Sequence, residues 1–148
     1  MSGHTAYTST NRFQVTDQGK LREILSKCRV AGDGARPPAL DSPDDGGLVA
    51  FHCPGSIEGY PIPRDEEDDC NLTGFLHDIS GILAPGQACI ITEARHGRKY
   101  GANGSAIVVC PGRRIKYLDL GDLSVQCARK MLEGTDCGPL EQESEDRT

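Results

Sequence analysis

Three apolar, β-rich runs succeed one another in the C-terminal half of the chain, at 88–92 (ACIIT), 105–110 (SAIVVC) and 115–120 (IKYLDL), with glycine-rich punctuation between them. Short runs of β-branched residues bounded by turn signals predict an antiparallel meander. Two dipeptides compete for the first hairpin turn, His96-Gly97 and Asn103-Gly104, because both tolerate the positive φ of a tight turn, so the register stays open. Pro111-Gly112 marks the second turn. The run at 105–110 lies between two partners and is almost wholly apolar, which predicts a central strand covered on both faces.

Elsewhere the apolar period is helical. Leu21, Ile24, Leu25 and Cys28 fall at i, i+3, i+4 and i+7, which predicts a helix over 17–28 with Thr16 offering the capping oxygen. Leu72, Phe75, Leu76, Ile79 and Leu83 form a second stripe beginning near Asn71 and ended by Ala84-Pro85-Gly86. Val125, Ala128, Arg129 and Leu132 form a third, capped by Asp122 and ended by Gly134. Residues 12–15 (RFQV) alternate as a short strand, and 48–53 (LVAFHC) are apolar enough to lie inside a sheet. Residues 54–63 hold three prolines and two glycines and read as turn or edge. Residues 32–47 are loop by composition.

The resulting order, β-α-β-loop-α-β-β-β-α, predicts an α+β fold: a single domain with a mostly antiparallel sheet, a C-terminal three-stranded meander and about three helices on one face. A length of 148 residues suits one domain. The apolar fraction of 36% is below the roughly 45–50% of ordinary domains. Part of the chain is therefore expected outside the packed region, at 1–10, 32–47 and 138–148, as flexible segments.

Charge narrows the function classes. A formal charge of −6 opposes non-specific nucleic-acid binding, which rests on cations neutralising phosphates, so direct contact with nucleic acid is disfavoured. No apolar run approaches the roughly 20 residues of a membrane span, and MSGHTAYTST lacks the basic and apolar regions of a secretion signal. The expectation is a cytoplasmic protein without a membrane partner.

The seven cysteines are odd in number and include no CxxC pair, so a disulfide framework and a zinc ribbon both lack their usual mark. Most, including Cys89, Cys110 and Cys127, read as small buried hydrophobes. Neither metal nor cofactor is expected. The alternative is a small metal-binding or thiol-dependent enzyme built on His52, Cys53, Cys70, His77, Cys89, His96 and Cys110, whose spacings match no standard ligand pattern. The segment 101–105 (GANGS) is no phosphate loop, since it lacks the Lys-Ser/Thr that follows the last glycine and opens a strand instead of a helix.

Two charged groups stand out. Asp65, Glu66, Glu67, Asp68 and Asp69 are five adjacent carboxylates that repel one another and must be solvated or face a cationic partner. Their spacing could imitate the charge density of a nucleic-acid backbone, one charge per roughly 1.7 Å of duplex axis; the plainer role is a solvated loop that keeps a sheet edge soluble. Arg95, His96, Arg98, Lys99 and Tyr100 sit near a hairpin tip, where charge could meet phosphate and Tyr100 could stack on a base, or where they are simply exposed.

Residues 12–17 (RFQVTD), 55–59 (GSIEG), 83–93 (LAPGQACIITE) and 117–120 (YLDL) resemble a small family of uncharacterised α+β proteins of prophages, plasmids and integrative elements. The likeness touches most of the chain from Arg12 to Leu132 and lies in scaffold residues. It implies an accessory protein of a mobile element, a class that includes inhibitors of host defence such as anti-CRISPR proteins. The expected function is a non-enzymatic protein-binding module whose acidic residues meet a protein with a basic surface.

Overall fold

The computed structural model describes residues 4–63, 69–97, 101–135 and 138. In chain order the elements are β1 (His4–Thr10), α1 (Gln18–Ser26), β2 (Arg29–Ala31), β3 (Ala39–Leu40), β4 (Phe51–Pro54), β5 (Ser56–Pro61), β6 (Cys70–Asn71), α2 (Leu72–Ile82), β7 (Cys89–Gly97), β8 (Gly101–Cys110), β9 (Arg114–Asp119) and α3 (Leu120–Met131). The fold is α+β. A six-stranded sheet runs β3-β4-β1-β7-β8-β9, and a smaller one runs β2-β5-β6. Every strand pair is antiparallel.

The predicted meander is present as β7-β8-β9. Its register runs to Gly97↔Gly101, so the first connection is 98–100, outside the described residues. Neither His96-Gly97 nor Asn103-Gly104 forms the turn; Asn103 and Gly104 lie inside β8, opposite Arg95 and Ala94. The second turn falls at Pro111-Gly112-Arg113, as the dipeptide predicts. Covering of 105–110 on both faces is less complete than its composition suggests, because among those residues only Val109 is fully buried.

The N-terminus corrects the sequence reading. Residues 4–10 are not outside the packed region: β1 lies between β4 and β7 in the large sheet. Ala6 and Thr8 face inward at 4% and 1% exposure, while Tyr7 is exposed. The buried Thr8 hydroxyl donates to the Gly55 carbonyl at 2.8 Å. A strand that buries only alanine and threonine carries little hydrophobic signal, yet its backbone is satisfied on both edges.

Residues 12–15 pair only as isolated bridges, Phe13 with Val49 and Val15 with Leu83. Residues 54–63 also depart from expectation, since 56–61 form the middle strand of the small sheet. Pro54 ends β4 and Pro61 ends β5, so neither ring removes a donor from a strand interior. Residues 32–47 are irregular apart from β3. They are tied down by Asp44, whose Oδ1 accepts from the amides of Gly46 and Leu48, each at 2.9 Å.

Two helix caps sit one to three residues from their predicted places. Asp17 caps α1, accepting the Lys20 amide at 3.0 Å, because Thr16 is engaged elsewhere: its N–H and its hydroxyl both donate to the Ile82 carbonyl at the end of α2. Asp119 caps α3, which leaves Asp122 in the first turn, where a carboxylate favours the helix dipole.

The core forms between the inner face of the large sheet and the helices α1 and α2. Phe13, Leu21, Ile24, Val49, Phe51, Phe75, Leu76, Ile79, Cys89 and Val109 are all 2% exposed or less. Phe13 and Phe51 meet edge to face at 6.2 Å, the geometry that the aromatic quadrupole favours. Helix α3 lies against β8 and β9 and adds no fully buried residue.

Candidate functional site

Of the acidic residues, Asp69 is described, and it lies where two paired strands end. Strands β5 and β6 pair through Tyr60↔Asn71 and Pro61↔Cys70, and the Ile62 amide closes the ladder onto the Asp69 carbonyl at 3.1 Å. Asp69 is exposed at the base of the loop; Asp65, Glu66, Glu67 and Asp68 lie outside the described residues. The anchor is rigid for local reasons. The Asn71 side chain accepts the Gly74 amide at 2.9 Å and caps α2, so the hairpin's second strand passes directly into a core helix. Gly59 lets β5 approach that junction: its φ is 106°, and a Cβ there would lie 2.6 Å from the Asn71 oxygen and the Leu72 backbone.

The basic group is divided by the strand's alternation. Arg95 is on the inner face, where its guanidinium pairs with the Glu93 carboxylate, whose other oxygen accepts the Ser56 hydroxyl at 2.5 Å. His96 faces outward and is exposed. Arg98, Lys99 and Tyr100 lie outside the described residues. The structure therefore does not bring Arg95 and His96 to one surface.

The cysteines and histidines are dispersed. Cys28, Cys53 and Cys89 are buried, Cys70 and Cys110 half-buried, and Cys127 is exposed on α3 with its thiol 3.9 Å from Met131 Sδ, against the expectation of a buried residue. Burial pushes the Cys28 thiol up to about 12 and the Cys53 thiol up to about 11, and raises Cys89 further still. A thiol so raised is protonated at neutral pH and is a poor nucleophile. His52 faces away from Cys53, lies 3.1 Å from the Asp41 carboxylate and stacks on Tyr7. Among the described residues no three His, Cys, Asp or Glu side chains gather as a metal site.

Two concavities accompany these features. One, of about 310 Å³ empty volume, lies between the sheet and α2; Ile57, Leu72, Phe75, Leu76, Ile91 and Ile107 form its apolar wall and Glu93 its charged edge. The other is an open cleft of about 800 Å³ between α1, α2 and the β8–β9 turn, lined by Lys20, His77, Asp78, Ser80 and Arg113 among others. At its edge Arg113 has φ 60°, a left-handed conformation that no other non-glycine described residue adopts. Its N–H donates to Ser80 Oγ at 2.8 Å, and the Ser80 hydroxyl donates to the Cys110 carbonyl at 2.7 Å. Asp78 accepts the Tyr60 hydroxyl at 2.6 Å, and burial together with that bond raises Tyr60 above its ordinary value. Sequence reasoning does not find Ser80, which has no pattern of its own beside Ile79, and it treats Arg113 only as part of a turn.

No family model matches the chain, and no solved structure matches it. Among curated proteins it is similar to an octanoyltransferase of Thermosynechococcus vestitus, 27% identical over 84 residues, which cover 57% of this chain and 33% of that protein. The matched stretch thus spans about a third of the length of the curated relative. No helix among the described residues is long and apolar enough to cross a membrane.

Proposed function

We propose that the protein is a non-enzymatic, cytoplasmic binding module of a mobile element. It inhibits a nucleic-acid-targeting defence complex, in the manner of an anti-CRISPR protein, by presenting acidic residues to the partner's basic surface. One observation carries the reading: the Ile62–Asp69 closure and the Asn71 cap fix both ends of the segment holding Asp65, Glu66, Glu67 and Asp68. The flanks of the charge run are thereby anchored to the core. Its carboxylates steer encounter with a cationic partner.

The test is competition. A labelled duplex is bound to a purified nucleic-acid-targeting effector, and the protein is added beside a variant with residues 65–69 replaced by serine. Displacement by the native protein and its loss in the variant support the reading; no displacement by either, across a panel of effectors, contradicts it.

A second reading, thiol-dependent acyl chemistry, is favoured by the likeness to an octanoyltransferase and by the apolar pocket beside Glu93. It is opposed by the burial of Cys28, Cys53 and Cys89. A stable acyl adduct on one cysteine after incubation with an octanoyl thioester would favour it over the binding module.

A further inference from the structure

The open cleft between α1, α2 and the β8–β9 turn takes no part in the acidic-hairpin reading. Three residues with nitrogen-bearing side chains, from distant parts of the sequence, line it: Lys20 on α1, His77 on α2 and Arg113 in the turn. In a chain with a formal charge of −6, such a gathering is set against the overall field. Two acceptors at its border, the Asp78 carboxylate and the Ile82 carbonyl, already accept hydrogen bonds. Asp78 accepts the Tyr60 hydroxyl at 2.6 Å, and the Ile82 carbonyl, at the C-terminal end of α2, accepts both the amide and the hydroxyl of Thr16. Among the described residues Lys20 pairs with Glu23 alone, at 3.5 Å, both side chains about half exposed, a pairing weak enough to exchange for a ligand. The Arg113 guanidinium has no ion pair among the described residues.

Two further features make this more than an exposed basic group. Arg113 is held in its left-handed conformation by Ser80, a serine only 2% exposed, so the position of its Cα is set by the core and not by the loop. Gly81 and Gly112 also line the cleft, and a Cβ built on either meets no atom within 4 Å. The floor beside Arg113 is open, with room for a ligand against the backbone. We propose that this cleft binds a small phosphate-bearing anion, with Arg113 and Lys20 as its charge partners and His77 as a further hydrogen-bond donor. Phosphate suits the set because a guanidinium fork and an ammonium point charge together match a tetrahedral dianion.

The test is a backbone-amide NMR titration of the full chain at constant ionic strength. Inorganic phosphate and glycerol 3-phosphate are the probes, and sodium chloride is the control. Saturable shifts at the Gly81, Gly112 and Arg113 amides are expected with phosphate and not with chloride. Arg113→Asn, which tolerates the left-handed backbone, and Lys20→Gln should each weaken binding about tenfold, the loss expected for one charge-assisted hydrogen bond. Tighter binding of glycerol 3-phosphate identifies a phosphate monoester as the ligand class; equal binding identifies free phosphate. Shifts that chloride reproduces, or binding that both variants retain in full, would overturn the proposal. Replacement of residues 65–69 by serine should leave this titration unchanged, which separates its outcome from that of the acidic hairpin.

Discussion

The Ser80 hydroxyl lies 2.8 Å from the Arg113 backbone nitrogen and accepts its N–H, while donating across 2.7 Å to the Cys110 carbonyl. A single buried side chain on α2 thereby fixes both flanks of the β8–β9 turn. This matters because the turn contains a non-glycine residue at φ 60°, a conformation that costs about 1–3 kcal/mol and persists only where its surroundings enforce it.

Removing the clamp exposes that cost. Ser80→Ala removes the partner from the half-buried hydrogen bonds of the Arg113 N–H and the Cys110 carbonyl and should destabilise the fold by about 0.5–1.5 kcal/mol. Arg113→Gly relieves the backbone strain and should be neutral or stabilise by up to about 1 kcal/mol. Urea denaturation midpoints of the two variants check both signs.

Gly59 is the corresponding point in the small sheet. With φ 106° and a would-be Cβ 2.6 Å from backbone atoms of Asn71 and Leu72, Gly59→Ala combines left-handed strain with overpacking against an immovable neighbour. The expected loss is about 3 kcal/mol. Amide exchange should show it first at Tyr60 and Asn71, the paired residues below the acidic loop.

How much of this was legible in the sequence depended on whether burial was written in hydrophobic letters. The helix stripes of α1 and α2 were, because Leu21, Ile24 and Leu25, and Phe75, Leu76 and Ile79, recur at helical spacing and are all buried. Strand β1 was not, since it buries Ala6 and Thr8 and owes its place to pairing on both edges, a long-range fact. Strand β5 was hidden by its flanking prolines. Of the candidate sites, the acidic run was plain as a charge pattern, but its placement between Ile62 and Asp69 followed from a ladder that no local signal announced. Arg95 looked like part of a basic tip, and only the β7 register shows it turned inward to Glu93.

Burial of the thiols gives the stability a defined alkaline limit. For Cys28 and Cys53 the folded values of about 12 and about 11 lie above the ordinary thiol value of 9.0, and Cys89 shifts the same way. Well below pH 9 both states hold the protons and stability is unaffected. As pH rises through 9 the unfolded chain releases them first, so the native state loses stability through about pH 11–12. Urea midpoints measured at pH 6, 7 and 10 should be equal between the first two and lower at the third.

The same burial orders the cysteines by reactivity. Among the described cysteines, Cys127 is exposed on α3 and should be the first to react with a maleimide, while Cys28, Cys53 and Cys89 react only after denaturant is added. Peptide mapping after brief labelling of the native protein reads the order directly. Early modification of Cys28, Cys53 or Cys89 would show that the core opens far more readily than its packing implies.

The central claim is that the acidic hairpin makes an electrostatic contact with a cationic partner, and its most direct measurement is the salt dependence of that contact. Exposed charges are screened over about 8–10 Å at physiological ionic strength and over about 3 Å at 1 M salt. Affinity for a partner found in the competition assay should therefore fall at least tenfold between about 50 mM and about 500 mM sodium chloride. The variant with residues 65–69 replaced by serine should bind weakly and respond little to salt. An affinity that holds across that range, or a serine variant that binds as tightly as the native protein, would contradict the account.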